Sequence, residues 1–236
     1  MDDASSRAER RDQTRKRNRL IGIVTGVVVA VAAVAVVAVV AGGDGGDTKT
    51  ASTAPVTVLH ENTVSLPLGD VSADSAGPPV TVSPEQSQQV LAVLSDYVKR
   101  ATVRPLRSGA PATADLATVF DAGTLAQATT TDRGVVLDEG LPKVTGDLDI
   151  VAQPITIVGL GDQGGNLTLI TAAVLVDVKG ETANQGGPLH IVRTADFVLA
   201  PDGGGAWKVT AYSMVVTRTG AGLDVTTTTT TSGATK

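Results

Sequence analysis

The sequence predicts an α+β roll, with N-terminal helices packed on a curved antiparallel sheet of about four long strands and one transmembrane helix ahead of them. Three observations predict it. An unbroken apolar run at residues 20–41 follows a basic cluster. A helix-capping signature at Ser83 opens a stretch of helical periodicity. After about residue 148 the texture changes to β-branched runs separated by glycine-rich loops of hairpin length.

Residues 1–19 carry Arg7, Arg10, Arg11, Arg15, Lys16, Arg17 and Arg19 against four acidic residues. The run that follows, LIGIVTGVVVAVAAVAVVAVVA, is 22 residues without a charge. As a helix it is roughly 33 Å long, enough to cross a hydrocarbon core of about 30 Å. In lipid the backbone must satisfy its own hydrogen bonds, so a lone span is helical despite its valines. The positive-inside rule places 1–19 in the cytoplasm and exports everything after residue 41. A basic tail beside a span sets orientation and meets anionic lipid more readily than it binds nucleic acid. The run also exceeds the 7–15 residues of a signal-peptide core, which favours an uncleaved anchor over cleavage after Ala41. Gly22 and Gly26 form a small-xxx-small pair through which two such helices can approach closely. The exported part holds twelve basic and twenty acidic residues, and at −8 it should avoid polyanions. With no cysteine in the chain there is no disulfide framework and no lipid-anchored cysteine.

Residues 42–82 are rich in Gly, Asp, Thr, Ser, Ala and Pro and read mainly as a flexible tether, although 57–68 can pair as a short extended strip. Residues 83–220 form the exported domain, and the Thr-rich 221–236 is expected to be disordered. Ser83 is the N-cap, Pro84 takes the first helical position and Gln86 completes a capping box. Val90, Leu94, Tyr97, Val98 and Ala101 then fall on one face, and Lys99 and Arg100 suit the helix C-terminus. A break is expected from Pro105 to Pro111, followed by a shorter helix with Leu116, Val119, Phe120 and Leu125 as its apolar contacts. Strands are expected at 150–158, 167–178, 189–199 and 207–218, paired as an antiparallel meander because their loops are short. In the last, alternation places Trp207, Val209, Ala211 and Val215 on one face and Lys208, Thr210, Tyr212 and Arg218 on the other. In the second, a phase shift near Ile170 predicts a bulge.

The helix SPEQSQQVLAVLSDYVKRA, the segment DLATVFDAGTL and the closing strands RTADFVLAPDGGGAWKVTAYSMVVTR resemble, in that order, the NTF2-like (cystatin-like) superfamily. The resemblance covers about residues 83–220 and rests on the order of elements more than on a diagnostic motif. Single-pass exported members from high-GC Gram-positive bacteria look most similar, among them Mce-associated, VirB8-like and TcpC-like proteins. The resemblance implies a cone between sheet and helices, which enzymes of the superfamily use as a pocket with an Asp or His base and a Tyr or Asp donor. Residues matching those roles by type are Asp96, Tyr97, Asp177, Arg193, Asp196 and Tyr212, and no family motif maps onto them position by position.

Other chemistry has weaker support. Gly159-Leu160-Gly161-Asp162-Gln163-Gly164 is a literal GxGxxG, but the following LTLITAAVLVDV is too β-branched for the helix a dinucleotide needs, so the motif reads as a hairpin turn. His60 and His190 are the only histidines and lie far apart, so a zinc site lacks ligands. Ser213 and His190 lie on neighbouring strands, yet Ser213 has no nucleophile-elbow context. No catalytic, cofactor or metal residue is therefore assigned. The expected function is a non-catalytic, membrane-anchored extracytoplasmic interaction or assembly module of the cell envelope. Its expected partners are the bilayer, through residues 20–41, and envelope proteins or a second copy, with no nucleic acid and no cofactor. The alternative is a binding module that holds a lipid or small apolar ligand in the cone pocket, and a third reading is an NTF2-like enzyme.

Overall fold

The computed structural model describes residues 56–109, 113–183, 187–220 and 223–233. Helix α1 (Pro84–Val98) starts where its caps require. The Ser83 hydroxyl accepts the Gln86 N–H at 3.1 Å and the Gln86 side chain accepts the Ser83 N–H at 2.9 Å. Val90, Leu91, Leu94, Tyr97 and Val98 are buried along one stripe. No break occurs at Pro105. The chain continues through a π turn (Lys99–Val103) into α2 (Arg104–Ser108) and stops at Gly109, which adopts the left-handed conformation at φ 67°. After a 3-10 segment (Thr113–Thr118) come α3 (Ala122–Thr129), capped by the Asp121 carboxylate on the Thr124 N–H, and the single turn α4 (Arg133–Val136).

Eight strands form one sheet: β1 (Thr57–Leu59), β2 (Leu68–Ser75), β3 (Val144–Ala152), β4 (Ile155–Gly161), β5 (Leu167–Thr182), β6 (Pro188–Pro201), β7 (Trp207–Gly220) and β8 (Leu223–Ser232). The main order is β1-β3-β5-β6-β7-β8. The long β5 pairs β4 with its first half and β3 with its second, and β2 adds to β4 in parallel. All other pairs are antiparallel. The α+β roll of about four long strands, implied by resemblance to NTF2-like proteins, is thus overturned by a mostly antiparallel eight-stranded sheet.

Three differences account for this. The run expected at 150–158 is two strands broken at Gln153-Pro154, where proline cannot donate to a ladder. The segment expected mainly as a tether contributes β1, which lies in the 57–68 strip expected to be able to pair, and β2, which runs beyond it. The Thr-rich tail expected to be disordered contributes β8, since threonine has high strand propensity and β7 offers it an edge. No helix among the described residues is long and apolar enough to cross a membrane, and residues 20–41 with their flanking tail lie outside the described residues.

Two bulges set which residues face inward. Leu160 pairs Leu169 while Gly161 pairs Leu167, leaving Thr168 as the extra residue in β5. Val198 pairs Ala211 while Leu199 pairs Val209, leaving Thr210 as the extra residue in β7. The second bulge corrects the expected faces of β7. Trp207 and Val209 point inward, but beyond the bulge Tyr212, Met214, Val216 and Arg218 are the buried set and Ala211 and Val215 turn outward. Freed at the bulge, the Val209 backbone bonds the Val119 carbonyl at 2.9 Å and the Asp121 N–H at 3.0 Å.

The helices cover one face of the sheet, and the core lies between. Tyr97 meets Phe120 and Phe197 edge-on at centroid distances of 5.8 and 5.2 Å, and Phe120 meets Tyr212 at 5.9 Å. Four of the five aromatic residues of the chain thus fill one cluster at the centre of that layer.

Candidate functional site

The densest polar cluster lies inside the core and begins with Pro105. Without an N–H, Pro105 cannot close a helical bond onto the Ala101 carbonyl, and Arg104 instead bonds Lys99 across the wider π turn. The Asp138 N–H takes the vacant Ala101 carbonyl at 2.9 Å. That contact delivers the Asp138 carboxylate to the Thr102 hydroxyl at 2.6 Å. Arg193 of β6 donates to one carboxylate oxygen at 2.6 Å, and the Arg218 Nε of β7 donates to the other at 2.8 Å. The side chains of Asp138, Arg193 and Arg218 are 0%, 3% and 9% exposed, so the trio is desolvated.

Two guanidinium groups around one carboxylate leave an excess positive charge, and the chain end of α4 answers it. Arg193 also donates to the Val135 and Val136 carbonyls at 3.1 Å, and Arg218 donates to Gly134 at 2.9 Å and Leu137 at 3.3 Å. These carbonyls form the negative end of the helical turn. Tyr97 accepts from Arg193 at 2.6 Å and donates to Val136 at 3.0 Å. A second relay runs outward: Tyr212 donates to Asp132 at 2.8 Å, Gln127 donates to Asp132 at 2.9 Å, and Ser232 of β8 donates to Gln127 at 2.9 Å.

Burial alone would raise the Asp138 carboxyl, but Arg193 and Arg218 outweigh it and hold the group below the usual carboxylate range. Burial pushes the Tyr97 phenol up to about 12. Burial, then the bonded Asp132, also raises Tyr212. A base held ionised and phenols held neutral are poorly matched to proton transfer near neutral pH. No buried side-chain polar atom among the described residues lacks a partner. The cluster therefore acts as a clamp that fixes the helical layer to β6 and β7.

The residues singled out in the sequence divide between this clamp and the surface. Tyr97 and Arg193 meet in it, and Tyr212 anchors the second relay. Asp96 sits at the helix surface, bonded to Arg100 at 2.7 Å and Thr118 at 3.0 Å. There a cleft of about 330 Å³ is lined by Glu61, Asp96, Lys99, Arg104 and Arg107. Glu61 and Arg107 pair across it. Asp177 and Asp196 lie on the opposite face of the sheet. Asp177 bonds His190 at 2.8 Å, and half-burial raises the Asp196 carboxyl. Ser213 lies opposite Asp196 and bonds Thr231, while His190 lies opposite Thr219, so no serine triad forms. His60 precedes a 3-10 turn, and no metal-binding group of His, Cys, Asp or Glu occurs among the described residues. Asp138, Arg218, Thr102 and Asp132 escaped sequence reading; the only trace of Asp138 is a helix-end Leu-Asp-Glu-Gly that reads as an ordinary turn.

The GxGxxG stretch closes the β4–β5 hairpin, with the Asp162 side chain accepting the Gly164 and Asn166 N–H groups at 2.8 and 2.9 Å. Its glycines make room for the strap that leads to α1. A Cβ on Gly159 would strike Val82 at 2.5 Å, and one on Gly161 would strike Val80 at 2.6 Å.

The other face of the sheet has no covering layer among the described residues. Register places Val151, Asp177, Val192, Thr217 and Thr227 in one row across five strands. The next row is Leu175, Thr194, Val215 and Thr229. Val158, Thr171, Val198 and Ala211 form a third. Most of these side chains are half-buried by their own neighbours. The face thus mixes β-branched apolar groups and hydroxyls with the charged Asp177, Lys179 and Asp196 and with His190, a mixed composition of the kind that protein-contact surfaces carry. Compared with known proteins, the chain matches no family model, and no curated protein or solved structure is significantly similar to it, so the resemblance to NTF2-like proteins gains no support from them.

Proposed function

We propose that this protein is a non-catalytic interaction module, anchored in the membrane through residues 20–41 and exported beyond it, that docks other envelope proteins on the open face of its sheet. The observation that carries the reading is the asymmetry of the two faces. One is packed with aromatic side chains and a satisfied ionic clamp, and the other offers Leu175, Val192 and Val215 to a partner. The filled interior gives no support to a ligand held between sheet and helices. Half-buried apolar rows hold a partner surface without exposing enough greasy area to aggregate the free protein.

Val192→Glu combined with Val215→Glu tests this. The double variant should keep its circular dichroism and melting temperature but lose the crosslinked high-molecular-weight assembly expected of wild type in membranes. An assembly of unchanged size and yield would remove the open face from the proposal.

A further inference from the structure

The sheet ends in three open edges among the described residues, and they differ in how they resist another strand. β1 has only three residues. β2 carries Asp70 and Asp74, and its register slips between Leu68 and Val71. Shortness, charge and irregularity are the usual protections of an edge. β8 carries a charge, Asp224, and a register slip only at its start, ahead of Thr226. From Thr226 to Ser232 it follows β7 without a register break, and residues 226–231 are six threonines with no charge, glycine or proline. Its last residue is held by the partly buried Ser232–Gln127 bond, so the strand is fixed in place while its outer edge stays open among the described residues.

We infer that β8 pairs antiparallel with β8 of a second copy of this chain, so that two eight-stranded sheets become one across a two-fold axis. The inference deepens the interaction-module reading by naming a partner, and it rests on that reading. A run of identical residues is its own complement. Aligned antiparallel about Thr229, threonine faces threonine from Thr227 to Thr231, with no like charges brought together. Such pairs already form within the chain: Thr217 bonds Thr227 at 3.2 Å and Ser213 bonds Thr231 at 3.4 Å. A foreign strand would find no side-chain pattern to read in this run, which leaves backbone pairing as the source of affinity. Joining the edges also carries the rows of the open face into the second copy, since Thr227, Thr229 and Thr231 lie on that face.

The absence of cysteine makes the test clean. In the full chain, in membranes of expressing cells, Thr229→Cys should form a disulfide-linked homodimer under mild oxidation. Opposed residues of an antiparallel pair lie about 4.5–5.5 Å apart at Cβ, within reach of a disulfide after small adjustment. Gly203→Cys, at the β6–β7 hairpin tip, should remain monomeric. Adding Thr227→Lys and Thr231→Lys to Thr229→Cys should reduce the dimer at least tenfold without lowering the melting temperature appreciably. A Thr229→Cys protein that stays monomeric while its thiol labels fully would overturn the inference. If that thiol instead traps a different protein, self-pairing fails but the docking reading survives. If neither β8 nor the open-face positions trap anything, both fail.

Discussion

Asp138 is the point at which the buried clamp converges. It receives two guanidinium groups, a hydroxyl and a helical layer, all away from water. Removing one member of a buried ionic cluster leaves the others uncompensated, at a cost of about 3–5 kcal/mol. Asp138→Asn should therefore lower the melting temperature by roughly 10 °C or more, as calorimetry would measure. Replacing the three ionic residues together by apolar ones of similar volume should cost less than Asp138→Asn alone. Because the folded protein holds Asp138 below its ordinary value, its contribution is complete above about pH 4 and is lost as pH falls through the depressed folded value. Asp138→Asn should accordingly flatten the acid limb of a stability–pH curve. Tyr97 behaves in the opposite sense. With the phenol raised to about 12, stability is present below the unfolded value of about 10 and declines as pH rises from there to about 12. Tyr97→Phe should reduce that alkaline decline in denaturant titrations, while the contribution of Tyr212 persists. Tyr97 and Arg193 were legible as interesting side chains, but their bond was not. Unbroken alternation past Thr210 puts Arg218 on the Lys208 face, and nothing in the local sequence announces the bulge that turns it inward.

Among the elements, α1 was the most readable, since its cap, its proline and its apolar stripe are all local signals. Ser83→Ala should cost about 1 kcal/mol, or roughly 2–4 °C in melting temperature, with no change in fold. The edge strands were the least readable. β1 and β2 occupy a stretch whose Gly, Pro and Asp content resembles a linker, and β8 shows no alternation from Thr226 to Thr231 because those side chains are identical. Their strand state depends on partners supplied by β3, β4 and β7, which periodicity within one segment cannot reveal. Attachment of β8 also depends on one backbone position. Gly220 sits at φ 84°, where a Cβ would collide with the Pro188 carbonyl oxygen. Gly220→Ala should release β8, seen as fast hydrogen exchange across residues 223–232 while β5 and β6 stay protected.

At the scale of the whole molecule, one chain carries both the apolar run at residues 20–41 and an asymmetric sheet. Anchoring through residues 20–41, as proposed, would put the sheet outside the cytoplasm, and Gly203→Cys gives a direct readout: its thiol should react with a membrane-impermeant maleimide in intact cells. Which face lies open was not legible in advance, because the closed and open faces differ by a phase set at two bulges and by strands hidden in linker-like sequence. The central claim is that the open face is the docking surface. Site-specific photocrosslinking in living cells tests it most directly, with the reactive side chain placed at Val192 on that face or at Gln89 on the exposed side of α1. The account predicts discrete adducts, with an envelope protein or a second copy, from Val192 and none from Gln89. Adducts from Gln89 with none from Val192 would contradict it.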